Sequence, residues 1–280
     1  MKKRIIGFIT LLFCLAAPLN VSAQTYDEVI TKFHSLTDTM SNEKKEMAYS
    51  IIEEDLIKQV YESYEEGMYQ EALKKIDSLQ KFRKKITGKE LMPRIYMIKA
   101  QVLFALQEFS QLVETTKECI KFHAETMTDR ESSYIYNMNA NGYRNQEKYK
   151  KAISPYEYAL SSYTKLGEIY NQANTLCNIA YCYQEIGRTM TANSYYEKGL
   201  NKYLLYFNVT KEYLLHNTLS VPDSIEEKNL ALKSFALNLF AMAYAAQKSG
   251  DYTARKDYLK MSANCGYDYA KSEYDRLYPY

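Results

Sequence analysis

Apolar residues along the chain recur at intervals of three or four positions, which is the spacing of one face of an α-helix. The stripe over residues 25–40 consists of Val29, Ile30, Phe33, Leu36 and Met40. Ser41 or Asn42 can cap a second predicted helix, which runs to about Glu66 and stops at Gly67, and a third begins near Tyr69. Similar stripes, separated by breaks of a few residues, continue along the chain. The pattern predicts an all-α protein of antiparallel helices joined by short turns.

Two stretches in the middle of the chain share one order of residues. Each has a small residue followed by tyrosine, then a short break, then alanine followed by tyrosine. These positions are Ala140, Tyr143, Ala152 and Tyr156 in the first stretch and Ala180, Tyr183, Ala192 and Tyr196 in the second. Ala152 and Ala192 are 40 residues apart, and further steps of 40 towards the N-terminus reach Leu112 and Ala72. A fixed period of this length is typical of a helical solenoid.

This order of residues resembles the tetratricopeptide repeat (TPR). That family places a large residue, a small one and tyrosine on the first helix of each pair, and Ala-x3-aromatic on the second. The large residues here are Tyr136 and Leu176, and the small residues that follow the aromatics are Ala159 and Gly199. The period of about 40 exceeds the usual value of about 34 and resembles the branch of the family with extended repeats. The resemblance implies a TPR-like right-handed helical-hairpin solenoid.

Three positions depart from the family pattern. Ser63 stands where an aromatic residue is expected, Leu112 replaces the small alanine, and Pro155 is expected to interrupt a helix. The small residues of the pattern let two helices approach closely. Because Leu112 is bulky, the helix that packs against it is expected to differ at that point.

The repeat spacing changes after the fourth repeat. The turn at Gly250 follows the equivalent turn at Gly187 by 63 residues rather than 40. We interpret the extra residues, near 204–228, as lengthened helices that form a projecting hairpin. A long loop is the alternative, although many apolar residues in this stretch argue against it. Ser224 and Glu227 are predicted to form a capping box at the start of the next helix.

The N-terminus has the order of a secretory signal peptide. A charged start, Lys2-Lys3-Arg4, precedes an apolar run from Ile5 to Leu19 and the small-residue cleavage site Val21-Ser22-Ala23. The alternative is an uncleaved membrane anchor, but the run is shorter than the ~20 residues that a spanning helix needs. We therefore predict an exported protein, periplasmic or secreted, with no integral membrane segment after cleavage.

The predicted domains are a signal peptide at residues 1–23 and a TPR-like α-solenoid over residues 24–280. The repeats are expected near residues 42–82, 90–123, 131–163, 170–218 and 224–264, with a C-terminal capping helix at 267–278. The end of the chain, residues 261–278, resembles a Sel1-like repeat, because Ala263 and Gly266 fit the Ala-x2-Gly pattern of that family. A terminal helix of this kind would cover the exposed end of the core.

Charge and cysteine content narrow the class of partner. Removing residues 1–23 takes away three of the 36 basic residues and none of the 34 acidic ones, which leaves a net charge near −1. This argues against nucleic acid as the partner.

The remaining cysteines are Cys119, Cys177, Cys182 and Cys265. Export permits a disulfide, but small buried cysteines are the interpretation that the spacing favours.

Little in the sequence points to catalysis. His34, His123 and His216 fall in separate predicted helices, and no nucleophile or glycine-rich phosphate loop accompanies them. Cys119 and His123 could supply two metal ligands, but no third ligand stands at a recognisable spacing. We therefore predict a protein that is not an enzyme and has no cofactor and no metal site.

The TPR resemblance implies that the first helix of each pair lines a concave groove. Counting back from Ala152 and Ala192 places Tyr134, Asn137, Met138 and Asn141 on one groove-facing helix, and Asn174, Cys177, Asn178 and Tyr181 on the next. The asparagines form pairs four residues apart, so each pair lies on one helix face. The candidate binding residues are therefore Tyr134, Asn137, Asn141, Asn174, Asn178 and Tyr181.

An asparagine amide both donates and accepts a hydrogen bond, so it can bond a peptide main chain twice. The resemblance implies that use here, with the amides exposed in the free protein, and the alternative is that they are solvated helix faces. The predicted function is a binding module that holds a peptide or protein partner. The alternative is a structural or assembly protein that forms a homodimer through residues 204–228.

The mature protein is expected to begin at Gln24, because the small residues of the cleavage site immediately precede it. The intact mass of exported protein, measured by mass spectrometry, tests this. A mass that still includes residues 1–23 would contradict the prediction.

Overall fold

The computed structural model describes residues 41–87, 90–222 and 224–279. The signal peptide at 1–23 and the helix predicted over 25–40 lie outside the described residues. The described residues form twelve helices and no strand, which confirms the all-α class. By internal contacts the chain divides into two units, and the boundary in the sequence falls between Leu106 and Gln107.

The first unit contains three described helices. They are α1 (Asn42–Glu65), α2 (Tyr69–Thr87) and α3 (Pro93–Ala105). The helices α1 and α2 pack together and bury apolar residues that include Val60 and Ile76. Ser63, which departs from the family pattern, is also buried, and its hydroxyl accepts a hydrogen bond from the Lys75 ammonium at 2.8 Å. The missing aromatic ring is therefore replaced by a polar contact between the two helices.

The second unit contains nine described helices. They are α4 (Phe109–His123), α5 (Asp129–Asn145), α6 (Tyr149–Lys165), α7 (Ile169–Glu185), α8 (Thr189–Phe207), α9 (Lys211–His216), α10 (Glu226–Ser249), α11 (Tyr252–Asn264) and α12 (Asp268–Leu277). From α4 to α8 each helix packs against the next along the chain. The helix α10 packs against α7, α8 and α11, and α12 packs against α11. Sequential packing of this kind makes a helical solenoid.

Three-residue turns join the helices from α5 to α8. The middle residue of each turn has a left-handed backbone, with φ of 58° at Glu147, 69° at Gly167 and 78° at Gly187. Glycine adopts this conformation without the steric cost that a β-carbon brings. The same turn occurs within helix pairs and between them, which is how short connections produce a regular stack.

Small residues bring neighbouring helices close together. A β-carbon on Gly142 would lie 2.8 Å from Cγ2 of Val113 and 3.3 Å from the side chain of Leu112. The absence of that β-carbon gives Leu112 its room, so the bulky residue faces a helix that differs at that point, as the sequence predicted. Ala152, at the repeat position equivalent to Leu112, is fully buried.

Two local predictions about helices were wrong. Pro155 does not interrupt a helix, since α6 continues through it from Tyr149 to Lys165. Proline removes one hydrogen bond of the helix, but its neighbours Ala152 and Tyr156 are fully buried, and this packing holds the helix together. The helix α10 begins after Ile225 and has no side-chain cap, so Ser224 and Glu227 do not form the predicted capping box. The capping box that does form joins Thr128 and Glu131 at the start of α5.

The extra residues after the fourth repeat do not form a projecting hairpin. The flanking helices are lengthened, with 19 residues in α8 and 24 in α10 against 17 in α7. The connection between them, however, lies against α11. Leu214 in α9 is fully buried, and its carbonyl accepts a hydrogen bond from the Asn264 amide at 2.8 Å. The backbone N–H of Leu219 donates to the Asn264 carbonyl, also at 2.8 Å.

The four cysteines of the second unit are buried and free of disulfides, which confirms their interpretation as small core residues. Burial raises the pKa of the Cys119 thiol to about 12 and that of Cys265 to about 12. No helix among the described residues has both the length and the apolar character needed to cross a membrane.

The variant Gly199→Ala should destabilise the protein by about 1–3 kcal/mol. A β-carbon there would lie 2.6 Å from Sγ of Cys177 and 3.2 Å from the carbonyl oxygen of Ala173. In an exposed helix the same change would instead stabilise by about 1 kcal/mol. Urea unfolding of Gly199→Ala, Cys177→Ala and the double variant measures the effect. We expect Gly199→Ala to destabilise the Cys177→Ala variant less than it destabilises the wild type. A Gly199→Ala variant that unfolds at higher urea than the wild type would contradict the close approach of α7 and α8.

Candidate functional site

An open pocket of about 390 Å³ lies among α5, α7 and α10 of the second unit. Most of its lining side chains are polar, and they include three amides and three tyrosine hydroxyls. The lining residues are Arg144, Asn145, Glu147, Tyr149, Cys177, Asn178, Tyr181, Tyr196, Asn238 and Ala241. A concave site with several convergent hydrogen-bonding groups is suited to holding a polar ligand.

Arg144 is the cation of this pocket. Its Nη1 donates a hydrogen bond to Oδ1 of Asn178 at 2.5 Å. Among the described residues, no Asp or Glu carboxylate forms an ion pair with Arg144. A guanidinium has five N–H donors in a fixed planar arrangement that matches a carboxylate. Arg144 therefore has donors left for an anionic group that enters the pocket.

Tyr149 and Tyr181 form one wall of the pocket, with their rings edge to face and 5.8 Å apart. Burial raises the pKa of Tyr181 to about 12, assisted by its hydrogen bond with Tyr149 and opposed by the charge of Arg144. Burial likewise raises the pKa of the Cys177 thiol. The Tyr181 hydroxyl and the Cys177 thiol are therefore protonated near neutral pH and are hydrogen-bonding groups rather than nucleophiles.

Two of the six candidate binding residues line this pocket, namely Asn178 and Tyr181. Asn174 is not part of the lining, but its Oδ1 accepts a hydrogen bond from the pocket residue Asn238 at 3.4 Å. Tyr134, Asn137 and Asn141 lie on α5 outside the lining. All six side chains are partly buried, whereas the sequence analysis expected exposed amides.

Asn141 shows why that expectation was wrong. Its Oδ1 accepts a hydrogen bond of 2.6 Å from the hydroxyl of Tyr156, a ring that is fully buried in the core. The amide is therefore bound to its own helix pair rather than free for a partner. Asn178 also accepts a hydrogen bond, from the Arg144 guanidinium. Arg144 lines the same pocket, however, so its guanidinium can turn from Asn178 to a ligand.

Three pocket residues were not predicted from the sequence, namely Arg144, Tyr149 and Asn238. The sequence pattern could have predicted Arg144, because this residue lies three positions after Asn141 and so continues the same helix face by one turn. Asn238 could not be predicted in this way, because the groove positions were located by steps of 40 residues. The extra residues after the fourth repeat lengthen that step to 63. No described group of three or more His, Cys, Asp or Glu side chains is placed to hold a metal ion.

Replacing Asn141 with alanine should destabilise the protein by about 1–3 kcal/mol, because the buried Tyr156 hydroxyl would lose its acceptor. Thermal or urea unfolding measures the loss. Asn137→Ala is the matched control, since Asn137 lies one turn earlier on the same helix and the described structure gives its side chain no hydrogen bond. Adding Tyr156→Phe should remove most of the penalty of Asn141→Ala. Equal stability of the two asparagine variants would contradict this role for Asn141.

No protein-family model matches the chain, and no curated protein matches it in sequence. Solved structures do match. BtubC (BKLC) from P. vanneervenii superposes with a TM-score of 0.55 at 14% identity, covering 92% of this chain and 91% of that chain. A putative kinesin light chain from Podosopora anserina with nearly identical TPR-like repeats superposes with a TM-score of 0.52 at 13% identity, covering 79% of this chain and 96% of that chain.

These identities are low, so the likeness shows the fold alone. The chain has the fold of a TPR-like helical solenoid.

Proposed function

We propose that the second unit is a non-catalytic binding module that holds a peptide or protein partner in the pocket around Arg144. TPR-like solenoids present extended surfaces suited to such partners. The observation that carries the proposal is the pocket cation: Arg144 is bonded to the amide of Asn178 and has donors left over. A partner with a carboxylate, from Asp, Glu or a chain terminus, would accept hydrogen bonds from these remaining donors.

The neighbouring groups suit the rest of such a partner. Asn178 and Asn238 offer amides to a peptide main chain, and Tyr149 and Tyr181 offer hydroxyls. The rings of the two tyrosines also provide apolar surface at low cost in side-chain entropy. This combination favours a short polar segment that carries one acidic group.

The proposal places the protein outside the cytoplasm, in the periplasm or among secreted proteins. The charged start, the apolar run and the small residues before Gln24 support export. Assembly through residues 204–228 remains a second prediction, since Leu205 and Tyr213 in that segment are exposed apolar side chains. It would give the protein a structural or assembly role in place of peptide binding.

The test is a selection of displayed random peptides on the purified protein, followed by affinity measurements. Arg144→Ala should weaken binding of the selected peptides by about 5- to 150-fold, which corresponds to about 1–3 kcal/mol. Arg188→Ala is the matched control, because Arg188 is an exposed arginine at a turn outside the pocket lining. Replacing the peptide carboxylate by an amide should weaken binding to the wild type and have little further effect on Arg144→Ala. Equal binding by Arg144→Ala and the wild type would contradict the proposal.

A further inference from the structure

The helix α10 exposes three large apolar side chains that recur every seven residues. The exposed fractions are 62% for Leu230, 51% for Leu237 and 49% for Tyr244. Scattered exposed apolar residues are normal on a protein surface. A seven-residue spacing, however, places all three on one line along the helix, as in the contact line of two paired helices.

The centre of this line differs from the equivalent position on α7. The 63-residue step between the turns at Gly187 and Gly250 makes Leu237 equivalent to Asn174 and Tyr244 equivalent to Tyr181. The central position is therefore asparagine on α7 and leucine on α10, whereas the tyrosine is common to both helices. Nothing in the described fold requires this change, because the opposite face of α10 already packs against α7, α8 and α11.

The ends of the line carry opposite charges. Glu226 and Lys248 are both exposed, and each lies eleven residues from Leu237, or about 16 Å along the helix. Lys248 is 3.9 Å from a carboxylate oxygen of Glu185, a partly exposed contact of a kind that contributes little, so its ammonium can turn to another partner.

We propose that α10 forms a homodimer with α10 of a second copy of this chain, the two helices antiparallel and Leu237 at the twofold axis. In this register Leu230 faces the copy's Tyr244, and Glu226 faces the copy's Lys248. Each contact occurs twice, as the symmetry of such an interface requires.

A second copy fits this surface better than an unrelated partner does. The line has the same spacing in both directions from Leu237, and its two ends carry complementary charges. Both properties are needed for a helix to pair with itself in antiparallel orientation. Lys233, which lies beside this line, can lay its apolar stem across the contact and keep its ammonium in water.

Sedimentation equilibrium of the purified protein over a range of concentrations tests the dimer. We expect a reversible monomer–dimer equilibrium in the wild type. Leu237→Lys should weaken it by about a hundredfold or more, because two like charges meet at the axis. The matched control is Leu205→Lys, since Leu205 is 61% exposed on α8 and belongs to the other predicted dimer surface. Circular dichroism should show both variants folded.

Two outcomes of this experiment would overturn the proposal. One is a wild-type protein that stays monomeric at every concentration. The other is a dimer that Leu237→Lys leaves intact, and a dimer that dissociates with Leu205→Lys instead would assign the interface to residues 204–228. Arg144→Ala should leave the monomer–dimer equilibrium unchanged. The proposed dimer and the proposed peptide binding can therefore be contradicted independently of each other.

Charge reversal and cross-linking test the antiparallel register. Glu226→Lys and Lys248→Glu should each weaken the dimer, and the double variant should restore it, because the reversed pair is again complementary. Under mild oxidation Leu237→Cys should cross-link to its copy, whereas Leu230→Cys should not, since its counterpart lies at the other end of the helix. Cross-linking by both cysteine variants, or no restoration in the double variant, would rule out this register.

Discussion

Close approach between neighbouring helices is the constraint on which the second unit depends. Gly142 and Gly199 lack the β-carbon that would collide with the facing helix, and Ala152 is fully buried at the same kind of contact. Helices this close leave no space between them for large side chains, so the buried tyrosines occupy the adjacent gaps. The length of a tyrosine then carries its hydroxyl from the core to the surface of the neighbouring first helix.

This arrangement joins the core to the candidate site. Tyr156 is buried, yet its hydroxyl reaches Asn141 on α5. Tyr203 is buried, and its hydroxyl oxygen accepts a hydrogen bond of 2.9 Å from Asn238, which lines the pocket. The amides are therefore held in place by side chains whose rings stabilise the fold. Pocket geometry and fold stability are thus linked at these positions, whereas the hydrogen bond of the Arg144 guanidinium goes to Asn178, a residue of the pocket itself.

The sequence predicted what depends on local periodicity and missed what depends on distance along the chain. The Ala152 and Ala192 repeats indicated the helical pairs, and Leu112 indicated a compensating change that proved to be Gly142.

Pro155 was misjudged because a single sequence does not show how strongly its neighbours are buried. Asn141 was misjudged because its partner, Tyr156, lies on another helix. The 204–228 region was misjudged because its short helix α9 packs against α11, which follows much later in the chain.

The hydrogen bonds of Asn264 have a consequence for how the solenoid comes apart. A stack of repeats tends to fray from its ends, because a terminal pair contacts only one neighbour. Here Asn264, at the end of α11, holds both the Leu214 carbonyl and the Leu219 N–H, which belong to the connection that precedes α10. These two hydrogen bonds join the end of α11 to the connection that precedes α10, so the connection, α10 and α11 are linked to one another. We therefore expect this end to melt cooperatively over all three segments, because α11 cannot separate without breaking both hydrogen bonds.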